Sequence, residues 1–167
     1  ATVSTTAANP AINAKIPYNP LTDFSPIINV AATPNIIAVH PSFTATDYKS
    51  FIAELKRSPG KYSYASSGTG GIGHLQMELY KNLSDTFVTH IPYRGAAPAL
   101  TDLAGGQVQA MMVDVAAGAG FLKGGKIRAL AVANNTRLSQ LPDVPTFAEL
   151  GFKGVEAAAQ VGVVAPA

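Results

Sequence analysis

Short apolar runs alternate with amphipathic stretches along most of the chain, and this alternation predicts strands and helices in turn. One predicted helix shows apolar residues at the i, i+3, i+4 and i+7 positions: Tyr48, Phe51, Ile52 and Leu55. Thr46 is its expected N-cap, and Pro59-Gly60 marks its expected end. A second predicted helix presents an apolar face as well: Leu75, Leu79, Tyr80 and Leu83.

The same pattern assigns most of the remaining chain. Strands are predicted at residues 23–30, 35–39, 62–65, 86–91, 108–113, 127–133 and 161–165. Further helices are predicted at residues 98–104 and 115–123, with a helix of one or two turns ending at Gly151. Strands that alternate with helices through short glycine-rich connections indicate an α/β fold, in which helices cover both faces of a parallel or mixed sheet in three layers.

Residues 66–73, here called the glycine loop, connect one predicted strand to the next helix and read SSGTGGIG. Glycines allow positive φ values, and the following helix offers free N–H groups at its start, so the loop is a candidate site for a carboxylate or phosphate. A turn that serves chain reversal alone is the alternative. The spacing Gly68-x-Gly70-x-x-Gly73 also matches a dinucleotide fingerprint, but the next strand ends in His90-Ile91-Pro92 without the acidic residue that this fingerprint requires.

Composition narrows the functional classes. The chain has 167 residues, 47% hydrophobic and 13% charged, with a net charge of +2, which fits one compact domain or slightly more. The cations are scattered rather than clustered, so no nucleic-acid partner is expected. Cysteine is absent, and the three histidines have no metal-ligand spacing, so no metal or other cofactor is expected. No signal peptide and no apolar stretch of membrane-spanning length is visible in the sequence.

A few side chains near the predicted strand ends are candidates for ligand contacts. Asp114 follows an apolar strand at the rim that the glycine loop shares, where it could orient a ligand or cap the next helix. Arg94 could pair with an anion or with Asp102. His74 could donate to a bound anion, although a hydrogen bond within the turn is favoured. No nucleophile has an assignable base, so catalysis is not expected.

Several ordered segments resemble the receptors of tripartite tricarboxylate transporters, also called the Bug family. The segments are residues 4–11 (STTAANPA), 64–70 (YASSGTG), 74–75 (HL), 90–103 (HIPYRGAAPALTDL), 105–108 (GGQV), 126–132 (KIRALAV), 141–146 (LPDVPT) and 162–166 (GVVAP). The resemblance covers almost the whole chain. It implies a periplasmic, two-lobed solute-binding protein of type II that captures small organic carboxylates for membrane transporter subunits, without catalysis. The alternative is a small nucleotide-dependent enzyme that uses the glycine turn.

The resemblance also implies an organisation and a site. Residues 1–40 would be a remnant of the first lobe with the hinge strand, residues 41–133 the second lobe, and residues 134–167 a return segment toward the first lobe. Family members carry a further unit before this region and continue after it, so a homo-oligomer formed through the truncated face is also expected. Ligand contacts are expected at the following residues: Thr5, Thr6, Ser66, Ser67, Gly68, Thr69, Gly70 and Asp114.

Overall fold

A mixed sheet with helices on both faces forms the body of the protein, with five strands side by side and a sixth strand paired to one of them. It is seen in a computed structural model that describes residues 1–2, 4–156 and 158–167. The strands are β1 (Phe24–Val39), β2 (Ser63–Ser66), β3 (Thr89–Pro92), β4 (Ala110–Asp114), β5 (Arg128–Ala133) and β6 (Ala158–Pro166). The helices are α1 (Asn9–Ile12), α2 (Tyr48–Arg57), α3 (Ile72–Ser84), α4 (Ala96–Ala104) and α5 (Val115–Lys123). A π-helical stretch, Ser4–Ala8, precedes α1.

The strand order is β3-β2-β4-β1-β5. Strand β2 runs parallel to β3 and β4, whereas β1 runs antiparallel to β4 and β5. The carboxyl ends of β2, β3 and β4 therefore lie at one edge of the sheet, which is the edge where ligands gather in open α/β sheets.

Alternate residues of the strands point to two separate cores, which gives the three layers. One core packs Ile37 and Met112 against α2 and α3, and the other packs Ile36 and Met111 against α4 and α5. The predicted fold class, an α/β sheet with helices on both faces, is confirmed.

Strand β1 differs from its prediction, because residues 23–30 and 35–39 form one continuous strand with the expected break at residues 31–34 included. Residues 31–34 stay extended because each pairs with β6, in a register that runs from Ala31 opposite Val161 to Pro34 opposite Ala158. From Asn35 onward the partners are β4 and β5 instead. Pro34, which has no N–H to donate, thus lies where β1 leaves the β6 ribbon and enters the main sheet.

Helix α2 begins one residue later than predicted. Asp47 rather than Thr46 is the N-cap: its carboxylate accepts a hydrogen bond from the Ser50 N–H at 2.8 Å, and the Ser50 hydroxyl accepts from the Asp47 N–H at 3.3 Å. A carboxylate caps the free N–H groups and also complements the helix dipole.

The predicted apolar face of α3 is partly wrong. Leu79 and Leu83 are 40% and 48% exposed. The buried positions are instead Gly73, Gln76, Met77, Tyr80 and Ser84. Gly73 allows the start of the helix to approach β4 closely, since an added Cβ would lie 2.4 Å from the Met112 carbonyl oxygen.

Other predicted elements differ as well. Strand β3 begins at Thr89, three residues after its predicted start. The predicted helix that ends at Gly151 is a hydrogen-bonded turn, in which the Leu150 N–H donates to the Thr146 carbonyl at 3.2 Å.

Candidate functional site

A cleft of about 280 Å³ lies between the glycine loop and the N-terminal helical segment. Residues on both sides line it: Ser4, Thr5, Asn9 and Ile12 on one side, and Ser67, Gly68, Thr69, Gly70 and Gly71 on the other. None of these side chains carries a charge, so only hydroxyl, amide and backbone dipoles act on a bound group from this lining.

Glycine is required at two points of the loop. The φ of Gly68 is +143° and that of Gly70 is +79°, values that L-residues with side chains rarely adopt. The Gly71 N–H donates to the Gly68 carbonyl at 3.2 Å and closes the turn. The chain then enters α3 directly.

Some of the predicted donors are occupied within the protein. Ser66 is 1% exposed, and its hydroxyl lies 2.7 Å from Nε2 of His90 and 3.2 Å from the Gly68 carbonyl oxygen. The Gly68 N–H donates back to that hydroxyl at 3.2 Å, and the Gly70 N–H donates to Nδ1 of His74 at 3.1 Å. The Ser66 hydroxyl therefore holds the loop from its buried side, through His90 and Gly68. The Gly70 N–H is directed at His74 and not at the cleft.

Other donors face the cleft. Ser67 and Thr69 are exposed, and within the described part of the chain their hydroxyls have no hydrogen-bond partner. Gly71 is the N-cap of α3 and supplies no side-chain acceptor, so the first N–H groups of this 13-residue helix remain open. The hydroxyl donors and the positive N-terminal end of α3 thus meet at one opening of the cleft.

Thr5 and Thr6, which the resemblance placed together, lie in different surroundings. Thr5 lines the cleft, while its hydroxyl donates to the Thr2 carbonyl at 3.0 Å. The Thr6 hydroxyl donates to the same carbonyl at 2.9 Å, and Thr6 lines a separate recess beside β1 and β6.

Sequence reasoning did not identify Ser4, Asn9 and Ile12 as neighbours of the glycine loop. The loop and this segment are about 60 residues apart, and no local periodicity reports such a contact. The resemblance of residues 4–11 to the receptor family placed Thr5 and Thr6 near a ligand, but it did not name these three neighbours.

Asp114 acts as the N-cap of α5, where its carboxylate accepts from the Ala117 N–H at 2.8 Å. It does not line the cleft beside the glycine loop. The capping alternative for Asp114 therefore describes the observed geometry, and the ligand contact stays a prediction.

Arg94 lies in the loop that follows β3, next to the glycine loop, because the Gly95 N–H donates to the Ser67 carbonyl at 3.1 Å. The alternative partner Asp102 instead accepts from the Tyr93 hydroxyl at 2.7 Å. Arg94 is exposed, and the ion pairs among the described residues do not include it. Its guanidinium thus places a positive charge, unpaired among the described residues, on the loop next to the glycine loop.

Further recesses have different chemistry. One of about 530 Å³ lies between α5 and β5, is lined mainly by apolar side chains such as Leu122, Ile127 and Leu141, and contains none of the predicted site residues. Within the described residues, no group of three His, Cys, Asp or Glu side chains is arranged to hold a metal ion. No described helix is both long and apolar enough to cross a membrane.

Comparison with known proteins gives consistent matches along the chain. The family described as "Tripartite tricarboxylate transporter family receptor" matches residues 1–167. Protein BugT of Bordetella pertussis is 34% identical over 151 residues, which are 90% of this chain and 46% of BugT. The chain thus spans about half the length of the curated relatives it matches.

Solved structures agree with the sequence matches. A protein described as a periplasmic transporter is 46% identical, with a TM-score of 0.96 over 99% of this chain and 56% of that protein. An R. palustris protein solved with adipate is 36% identical, with a TM-score of 0.95 over the same shares. MatC from Rhodopseudomonas palustris, solved with bound malate, is 28% identical, with a TM-score of 0.91 over 99% of this chain and 56% of MatC.

Proposed function

We propose that the glycine loop binds one carboxylate group of a small organic acid. The chain belongs to the tripartite tricarboxylate transporter receptor family, and this membership is the first support for the proposal. The family is a receptor family and not an enzyme family, which leaves the nucleotide-dependent enzyme without support. Similar proteins were solved with adipate and with malate, both of which are dicarboxylates. We propose that this protein also binds dicarboxylates. It would capture them in the periplasm and deliver them to a membrane transporter.

The observation that carries this proposal is the set of open donors at one mouth of the cleft. The hydroxyls of Ser67 and Thr69 lie beside the start of α3, where the helix dipole favours an anion. A carboxylate accepts several such hydrogen bonds, and bonds to a charged acceptor contribute about 1.5–3 kcal/mol each. The uncharged lining means that a fixed anion of the protein does not compete for these donors.

Arg94 extends the proposal from one carboxylate to two. Its exposed guanidinium lies on the loop whose Gly95 N–H is bonded to Ser67, at the same rim as the cleft. A planar guanidinium binds a carboxylate in a bidentate fashion. We therefore propose that Arg94 attracts the second carboxylate of a dicarboxylic acid.

The division of the chain into lobes is also a proposal. Strand β6 pairs with residues 24–34 of β1 outside the main sheet, and this two-stranded ribbon supports the proposal that residues 1–40 hold a first-lobe remnant with the hinge strand and that residues 134–167 return toward that lobe. Residues 35–39 lie within the main sheet, and Phe147 and Val155 are buried in the core beside α2 and α3. The ribbon exposes large apolar side chains: Ile27, Ile28, Val30, Val161 and Val163. Exposed apolar patches of this kind are typically covered by other protein. Self-association through this face stays a prediction.

Calorimetric titration of the protein at its full native length tests the function. Adipate, malate, acetate and NAD are the titrants, and binding of a dicarboxylate without binding of NAD is the expected result. The S67A/T69A double variant should bind the dicarboxylate at least about 100-fold more weakly, because two charge-assisted hydrogen bonds are removed.

Thr101→Ala is the matched control. Thr101 is an exposed threonine whose hydroxyl donates to the Ala97 carbonyl of α4 at 3.0 Å, outside the cleft. Removal of the Thr101 hydroxyl should leave the affinity for the dicarboxylate unchanged. Unaltered dicarboxylate binding by S67A/T69A, or an equal loss in T101A, would contradict the proposed site.

A further inference from the structure

Three rings from three different elements stack directly beneath the glycine loop. Tyr64 of β2 stacks on His90 of β3 with ring centroids 4.9 Å apart and an interplanar angle of 22°. His90 stacks in turn on His74 of α3, at 4.1 Å and 26°. We call this group the imidazole stack. It links β2 and its neighbouring strand β3 to α3, the helix that follows the glycine loop.

Both histidines of the stack are hydrogen-bonded to the loop. Nε2 of His90 lies 2.7 Å from the Ser66 hydroxyl, at the point where the loop begins. Nδ1 of His74 accepts the Gly70 N–H at 3.1 Å, inside the turn. Gly70 has a φ of +79°, which glycine adopts without strain, and the acceptor on His74 fixes the direction of the Gly70 N–H.

The hydrogen bond from Gly70 fixes the protonation state of His74. Because Nδ1 accepts the hydrogen bond from the Gly70 N–H, it carries no proton, and the ring is neutral with its proton on Nε2. Addition of a proton at Nδ1 would place two donors against each other. A second charge on His90, whose ring centroid is 4.1 Å away, would add repulsion.

The charged and titratable groups around the stack come from the same elements. Glu78 of α3 accepts from the Tyr64 hydroxyl and pairs with Lys81 at 2.8 Å, and Lys81 also lies 5.5 Å from the Tyr64 ring centroid. Burial, followed by the neighbouring His74, lowers the pKa of His90. The surroundings therefore favour a neutral His90 ring.

We propose that His74 is a positioning residue, which holds the glycine loop in its carboxylate-binding conformation by accepting the Gly70 N–H while stacked on His90. The predicted change in carboxylate affinity rests on the proposed function. The predicted change in the conformation of the glycine loop does not, because it is measured without a ligand.

Two variants separate the acceptor from the ring. His74→Asn replaces Nδ1 by an amide oxygen at a similar position and removes the stacked ring, whereas His74→Phe keeps a ring and removes the acceptor. His40→Asn is the control, since His40 lies outside the stack with Nδ1 2.6 Å from the Ser42 hydroxyl. The protein is studied at its full native length.

The first readout is nuclear magnetic resonance without ligand. In the wild type we expect His74 as the Nε2–H tautomer and a slowly exchanging Gly70 amide. The Gly70 amide should exchange slowly in H74N and H40N and about fivefold faster in H74F, the loss of one neutral hydrogen bond. A His74 that carries its proton on Nδ1, or slow Gly70 exchange in H74F, would overturn the proposal.

The second readout is adipate affinity at neutral pH. We expect H74F to bind about fivefold more weakly than the wild type, and H74N and H40N to bind about as well as the wild type. Equal affinities of H74F and the wild type would contradict the link between the loop conformation and binding. Absence of adipate binding in every protein would refute the proposed function, and the Gly70 exchange rates would still decide the role of His74.

Discussion

Gly73 is the position where a single added methyl group should disturb both the core and the glycine loop. Its helix, α3, approaches β4 so closely that a Cβ at Gly73 would lie 2.4 Å from the Met112 carbonyl oxygen and 3.4 Å from the carbonyl carbon. Met112 lies in the centre of the sheet, in register with Ile37 of β1. A backbone carbonyl in this position cannot rotate away as a side chain can, so the start of α3 has to move.

The expected cost follows from two opposing effects. Overpacking a core costs about 1–3 kcal/mol, and contact with fixed backbone belongs in the upper half of that range. Alanine is favoured over glycine by about 1 kcal/mol in a helix interior, and by less in the first turn where Gly73 lies. We therefore expect Gly73→Ala to lower the free energy of unfolding by about 2 kcal/mol.

Gly118 of α5 provides a matched control. A Cβ at Gly118 would meet only side-chain atoms at ordinary contact distances: Ile127 at 3.7 Å, Val113 at 3.8 Å and Leu122 at 3.9 Å. Gly118→Ala should leave stability unchanged or raise it by up to about 1 kcal/mol through helix propensity. Urea unfolding followed by circular dichroism measures both variants. A G73A protein that unfolds at the same urea concentration as the wild type would refute the steric argument.

Two further predictions concern charge. Arg94→Gln should weaken binding of adipate more than binding of a monocarboxylate, because the proposed partner of the guanidinium is the second carboxylate; equal losses for both ligands in calorimetry would contradict this role. Burial raises the pKa of Tyr48 to about 12 and also raises the pKa values of Tyr64 and Tyr80. Folded-state pKa values above the unfolded value of about 10 contribute stability that is fully present below pH 10 and is lost as the pH rises further. Phenolate absorbance should therefore show these tyrosines ionising together with alkaline unfolding, and their full titration near pH 10 in the folded protein would contradict the burial argument.

The strand pattern of the chain could be predicted because β-strands and helices leave different periods of apolar residues. The continuity of β1 could not, because Ala31-Ala32-Thr33-Pro34 has the composition of a break. What keeps these residues extended is their pairing with β6, whose residues lie more than 120 positions later in the chain. Long-range pairing decides the conformation at this point, and local propensity does not report it.

The orientation of α3 was missed for a related reason. Periodicity assigns the buried face to the leucines, but Leu79 and Leu83 are largely exposed. The helix instead turns Gly73 toward β4 and buries Gln76, whose Nε2 donates to the Val155 carbonyl at 3.0 Å. The close backbone approach at Gly73 and the buried amide of Gln76 together set which face of the helix is buried. A hydropathy pattern scores neither glycine nor glutamine as a core residue, so it does not predict this face.

The residue types of the glycine loop indicate an anion site, but they do not show which donors are available to an anion. Ser66 and Ser67 are adjacent serines, yet only Ser67 faces the cleft, because β2 places the Ser66 hydroxyl against His90. Gly70 has the backbone conformation expected of an anion-binding turn, yet its N–H is directed at His74. The two histidines thus withdraw two donors from the cleft and, by the same bonds, fix the positions of Ser67, Thr69 and the start of α3. The proposed recognition of a carboxylate by this loop therefore involves side chains that do not line the cleft, and the contrast between His74→Asn and His74→Phe measures their contribution directly.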